Sequence, residues 1–141
     1  MTIPMEYQHA SEDFMRILAD ARDEAGLGTM NQSFTMVDGV LRTFRRRLSA
    51  AEVVRFAGVL PPVLRAMFVT GWDPAQTPVP FDSREAMTRE AQGLRQHHNF
   101  APEGAIAHVA TAVRRHVDGP AFELVLAGLP PAAMAFWHGK A

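Results

Sequence analysis

Leu60-Pro61-Pro62 and Leu129-Pro130-Pro131 stand 69 residues apart. The stretches that hold them, VDGVLRTFRRRLSAAEVVRFAGVLPPVLRAMF (Val37–Phe68) and IAHVATAVRRHVDGPAFELVLAGLPPAAMAFW (Ile106–Trp137), read as two copies of one helical pattern. Under that shift Val40, Arg45, Arg46, Leu60, Pro61, Pro62 and Ala66 meet identical residues. Ordinary compositions would give about two such matches by chance. The substitutions keep the chemistry of their positions: Ser49 meets Asp118, Leu48 meets Val117, Val53 meets Phe122, Met67 meets Phe136 and Phe68 meets Trp137. A shift that preserves apolar faces, caps and breakers together indicates a tandem duplication.

Outward from these stretches the apolar spacing stays helical. Phe14, Ile17, Leu18, Ala21 and Ala25 fall on one face, and Gly26 and Gly28 end that helix because glycine accepts the left-handed conformation. Phe34, Val37, Val40, Leu41, Phe44 and Leu48 line a second helix. Ser49-Ala50-Ala51-Glu52 is a capping box opening a third, with Val53, Phe56, Ala57 and Leu60 on its apolar face. Pro61 and Pro62 stop it, since proline lacks the amide and clashes with the preceding turn. Leu64, Met67 and Phe68 mark a short fourth helix.

Pro74, Pro78 and Pro80 then forbid helix, so residues 74–81 form a Pro-rich linker between a first repeat, 1–73, and a second, 82–141. Asp82 or Ser83 caps the next helix, with Met87, Ala91 and Leu94. Pro102 sits in the first turn of another, lined by Ile106, Val109, Ala110, Val113 and Val117. Asp118 caps a helix carrying Phe122, Val125, Leu126 and Leu129, and Met134, Phe136 and Trp137 follow the second Pro-Pro. The expected fold is all-α: two tandem pseudo-repeats of three to four helices each, packed into one compact bundle.

Composition narrows the function classes. With 141 residues and 48% hydrophobic content the chain can bury a core without staples. It has no cysteine, which removes disulfides, thiolate metal sites and cysteine nucleophiles. A net charge of −1 gives no general pull toward nucleic acid or an acidic membrane. Of 14 basic residues only Lys140 is a lysine, a bias typical of GC-rich bacterial codons. Met1–His9 carries no basic residue and does not open like a signal peptide. The uncharged run Leu124–Trp137 is too short to span a membrane and is broken by two prolines. The expectation is a cytoplasmic protein.

The order Val40-Leu41, Arg47-Leu48-Ser49, Glu52, Leu60-Pro61-Pro62, Leu64-Arg65 and Gly71-Trp72 resembles a bacterial helical family catalogued as domain of unknown function 2267. Its members often carry the unit twice. The resemblance spans roughly residues 6 to 138. The second copy departs from it: His116 replaces the arginine, Asp118-Gly119-Pro120 replaces the serine box, and no arginine follows Pro131. The resemblance implies a helical fold and bacterial origin, and no catalytic residue.

Three constellations could carry function. Arg42, Arg45, Arg46 and Arg47 crowd one helix end, and Arg114 and Arg115 recur later. Guanidinium grips phosphate bidentately, but cations also favour a helix C-terminus and could pair with Glu12, Asp13, Asp20, Asp23 and Glu24. His97, His98, His108, His116 and His138 gather in the second repeat. Imidazole is a common metal ligand and acid–base group. No zinc spacing is present, so no metal or cofactor is expected, with His97, His98 and His116 the residues to watch. Trp72, Phe68 and Trp137 could line a pocket between the repeats, but aromatics more often anchor a helix on its own core. No phosphate loop or nucleophile elbow occurs.

The expected function is therefore a non-enzymatic module binding a protein partner or itself, with Arg42, Arg45, Arg46, Arg47 and Trp72 as interaction residues. One alternative is a small-molecule or metal-binding protein with an inter-repeat pocket at His97, His98, His116 and Trp72. A weaker one is nucleic-acid binding through Arg42–Arg47.

Overall fold

The helices of this protein begin and end where a residue supplies or withholds a backbone partner. The computed structural model describes residues 1–94 and 101–139. Among these, nine helices follow one another: α1 Met5–Gln8, α2 Ala10–Ala25, α3 Met30–Arg45, α4 Ala50–Ala57, α5 Pro62–Val69, α6 Arg84–Gly93, α7 Ala105–Arg114, α8 Gly119–Ala127 and α9 Pro131–His138. No strand occurs among the described residues. Gly26 closes α2 at φ 68°, its amide reaching Arg22 and Asp23 carbonyls. Thr29 and Gln32 cap each other at the start of α3, as Ser49 and Glu52 do at α4. Ser83 and Asp118 side chains accept from the amides of Ala86 and Ala121 to open α6 and α8. Pro62 and Pro131 each occupy the first position of a helix, where the missing amide costs nothing. Helix bounds keep the 69-residue offset: α3 and α7 end at Arg45 and Arg114, α4 and α8 start at Ala50 and Gly119, and α5 and α9 start at Pro62 and Pro131.

α3 and α7 are the central helices. The sequence reads them as striped, but burial runs nearly all round: Thr35 through Leu41 is continuously buried in α3, and Ala105 to Ala107, Val109, Ala110, Ala112 and Val113 in α7. A helix surrounded on all sides is the expected home of such a segment. Its buried hydroxyls are satisfied: Thr43 donates to the Gly39 carbonyl one turn back at 2.8 Å, and Ser33 donates across to the Leu18 carbonyl of α2 at 2.6 Å.

The outer helices cross over. α2 packs mainly along α7 and also along α3, while α6 packs mainly along α3. Each half of the chain thus lends its first long helix to the central helix of the other. The aromatic core lies where the halves meet. Phe44 of α3 contacts Phe136 and Trp137 of α9 with ring centroids 4.9 and 5.5 Å apart, and Phe56 of α4 contacts Phe122 of α8 at 5.6 Å. Trp137 was expected to anchor α9 on its own unit's core; instead it also stacks on Phe56 at 5.3 Å and belongs to a core shared by both halves. Residues 70–83 are non-helical. They are pinned where the Val79 amide donates to the Arg46 carbonyl at 2.9 Å and where Phe81 meets Phe44 at 6.2 Å.

Candidate functional site

The arginine cluster at the end of α3 is the first feature to place, and each of its members is engaged within the chain. Arg42 Nε pairs with Asp38 one turn back at 3.1 Å. Arg45 donates to the carbonyls of Phe68 and Thr70, at 3.0 and 2.9 Å, and so closes the C-terminus of α5. Arg46 and Arg47 converge on one carboxylate, Glu90 of α6, at 2.6 and 2.7 Å. Arg47 also donates to the Thr43 carbonyl, and its side chain is only 5% exposed. Burial, then the neighbouring Arg42, pull the Arg45 guanidinium below its usual pKa range, with Asp38 opposing. Arg45, Arg46 and Arg47 thus clamp α3 to α5 and α6, while Arg42 pairs within α3.

A related clamp joins α7 to α2. Arg115 reaches Glu24 at 2.6 Å and His116 Nε2 lies 2.5 Å from Asp20. These are the positions that the 69-residue offset relates to Arg46 and Arg47. The acidic face of α2 therefore serves Arg115 and His116, whereas the arginines of α3 find their acids elsewhere. The reason is the crossing of the outer helices, which sets α2 against α7.

Two further arginines close helix ends. Arg65 donates to the carbonyls of Ala57 and Leu60 behind α4. Arg84, at the start of α6, donates to Ala135, Phe136 and Gly139 at the end of α9, from 3.0 to 3.3 Å. Burial lowers its pKa, with Glu85 opposing. A Cβ at Gly139 would lie 2.7 Å from Arg84 Nη1, so glycine leaves room for this contact.

The histidines do not converge. His116 lines a cleft of about 240 Å³ at the Leu60-Pro61-Pro62 corner, together with Glu6, Asp13, Arg65 and Asp118. An imidazole held by a carboxylate has the form of a general base, yet no hydroxyl, thiol or amine side chain is among the described residues lining that cleft. Asp118 is already committed to capping α8. His138 pairs with Glu123 at 2.7 Å, joining α9 to α8. His97 and His98 lie outside the described residues. Trp72 is half-buried against the core and does not line the cleft. Among the described residues no three His, Asp or Glu side chains gather as a metal-holding group. A larger hollow of about 670 Å³ opens along α6 and the start of α7, walled by Arg89, Gln92, Glu103 and Ile106 among others.

The family profile of an uncharacterized conserved protein, DUF2267, matches residues 14–136. The chain belongs to the DUF2267 family. No curated protein matches it. Among the described residues of this DUF2267 chain no helix is long and apolar enough to cross a membrane.

One surface of the DUF2267 fold went unread in the sequence. From Gly119 to Trp137 the chain holds a single ionisable residue, Glu123. Leu124, in the middle of α8, is 77% exposed. The offset sets Leu124 opposite Arg55, also exposed, and sets Ala121 and Met134 opposite Glu52 and Arg65. The signal was available in that comparison: at these three positions charge in the first stretch gives way to an apolar residue in the second, although Val54 meets Glu123 in the opposite sense.

Proposed function

We propose that this DUF2267 chain is a non-enzymatic interaction module, built by duplication of one helical unit and acting in a bacterial cytoplasm through contacts with protein. The observation that carries this reading is the outer face of α8, where Leu124 is 77% exposed on a helix almost free of charge. Contiguous apolar surface free of charge marks contact sites on soluble proteins, and exposed Pro120, Ala127 and Gly128 extend the apolar surface beside Leu124. Two features add support. The arginines singled out by sequence hold the fold together, so they are spoken for before any phosphate arrives. The junction between the halves is filled by Phe44, Phe56, Phe122, Phe136 and Trp137.

The test is affinity capture with native elution, run in parallel on the wild type and Leu124→Arg. Loss of a stoichiometric partner with an unchanged circular dichroism melt is the expected result. Equal capture by both proteins would refute a role for this face.

A second reading, small-ligand or metal binding, has the His116 cleft behind it. Calorimetry with zinc, nickel and iron on the wild type and His116→Ala tests it: micromolar binding lost in the variant would support it, and no heat in either would end it.

A further inference from the structure

We infer that the cleft at the Leu60-Pro61-Pro62 corner binds a free α-amino acid with an aliphatic side chain, its carboxylate on Arg65 and its ammonium on Glu6. The inference rests on the second reading above, a small ligand in the His116 cleft, and names the ligand's class.

The charges argue for it first. Glu6, Asp13, Arg65, His116 and Asp118 line the cleft. Three of them are engaged elsewhere. Asp13 pairs with Arg16 at 3.3 Å, Asp118 accepts from the Ala121 amide at 3.1 Å, and Asp20 holds the His116 ring. Glu6 and Arg65 remain, and they are opposite in sign. Glu6 Oε2 and Arg65 Nη2 stand 3.7 Å apart, beyond the length of a hydrogen bond. The guanidinium is fixed from behind: Nε donates to the Ala57 carbonyl at 3.1 Å and Nη2 to the Leu60 carbonyl at 2.9 Å. Nη1 has no partner among the described residues. A fixed guanidinium beside an open carboxylate answers a ligand that carries both charges close together. An α-amino acid holds its ammonium and carboxylate on one carbon, so both can meet a pair this close. A zwitterion with its charges at the ends of a chain could not.

Shape argues for it independently. Val59, Pro61, Pro62, Val117 and Ala121 give the cleft a half-buried wall of carbon. An aliphatic side chain would lie there out of water. The volume of about 240 Å³ is that of roughly eight waters, which suits an amino acid near valine in size. A metal fits less well, since no three His, Asp or Glu side chains gather among the described residues. The 69-residue offset adds a count. At the second Leu-Pro-Pro corner it sets Met134 in the place of Arg65, so that corner offers no guanidinium to a carboxylate. The chain has one such site although the motif occurs twice.

Isothermal titration calorimetry of the full chain with L-alanine, L-valine and L-leucine tests this. At least one of them should bind tighter than about 1 mM, with one molecule per chain. For the tightest of the three, the N-acetyl derivative lacks the ammonium and the decarboxylated amine lacks the carboxylate. Each should bind at least about tenfold more weakly, the loss that goes with one charge-assisted contact. Glu6→Gln should weaken the amino acid by the same factor and leave the N-acetyl derivative unchanged, a coupling that a merely structural role would not produce. Glu6 is exposed, so the variant's thermal melt should match the wild type. Arg65→Met, which copies the second corner, should abolish binding. Because Arg65 also closes α4, its melt is recorded alongside, and the Glu6 coupling decides the matter if that variant unfolds.

No heat with any of the three amino acids overturns the inference. So does binding that Glu6→Gln leaves untouched. If the amino acids fail but zinc binds the wild type and not His116→Ala, the cleft is a site for a different ligand and only the named class falls. If zinc gives no heat either, the small-ligand reading falls with it.

Discussion

At the scale of single residues, the chemistry of this protein is dominated by arginines that look free in the sequence and are not. Glu90 illustrates why. It accepts from Arg46 and Arg47, and Arg47 is almost wholly buried. Arg47 Nε has no partner even so. Glu90→Gln would leave that guanidinium buried without its counter-charge, a change that typically costs about 3 kcal/mol or more. The expected outcome is a clear fall in the urea midpoint. Arg16→Ala breaks the exposed pair with Asp13 and should cost less than about 1 kcal/mol. Comparable losses for the two variants would refute the ranking. Phe44→Ala should cost about 3–5 kcal/mol, since the ring is fully buried and touches Phe56, Phe136 and Trp137 at once.

At the scale of elements, the caps set where helices start. Ser49→Ala removes the hydroxyl that accepts from the Glu52 amide, and Asp118→Ala removes the carboxylate that accepts from Ala121. Each should lower stability by about 1 kcal/mol, read from denaturant titration. Restoring Ser49→Thr should recover most of the first loss, because threonine also caps. These starts were legible in the sequence, as were the Gly26 stop and both Pro-Pro breaks, because each rests on residues within four positions of one another. The Thr29–Gln32 box has the same local form and could have been read in the same way. The partners of the arginines were not legible. Glu90 is 43 residues from Arg47, and no spacing rule links them. Leu124 escaped for a different reason: its neighbours Phe122, Val125 and Leu126 are apolar too, so α8 has no polar face to announce which side looks outward.

At the scale of the whole molecule, the crossing of the outer helices decides how the chain comes apart. α2 lies on α7, α6 lies on α3, and α4 meets α8. No cut between the halves spares these contacts. Thermal unfolding is therefore expected as a single transition, with the calorimetric and van't Hoff enthalpies equal. A fragment spanning residues 1–73 should be largely unfolded on its own, because Phe44 loses Phe136 and Trp137 and α2 loses α7. Mixing it with a fragment spanning residues 74–141 should restore helical circular dichroism. A stable, fully helical 1–73 would show that the crossing contributes little. The sequence disclosed two similar stretches, but periodicity marks which residues are buried and is silent on which helix buries them.

That crossing also sets a timetable for synthesis. The last residue of α2, Ala25, leaves the ribosome 80 residues before the first residue of α7, Ala105. At translation rates of about 5–20 residues per second, the apolar face of α2 waits roughly 4–16 s for the helix it mainly packs against. For that interval the nascent chain holds an unfinished core, and ribosome-associated chaperones have a defined window in which to bind it.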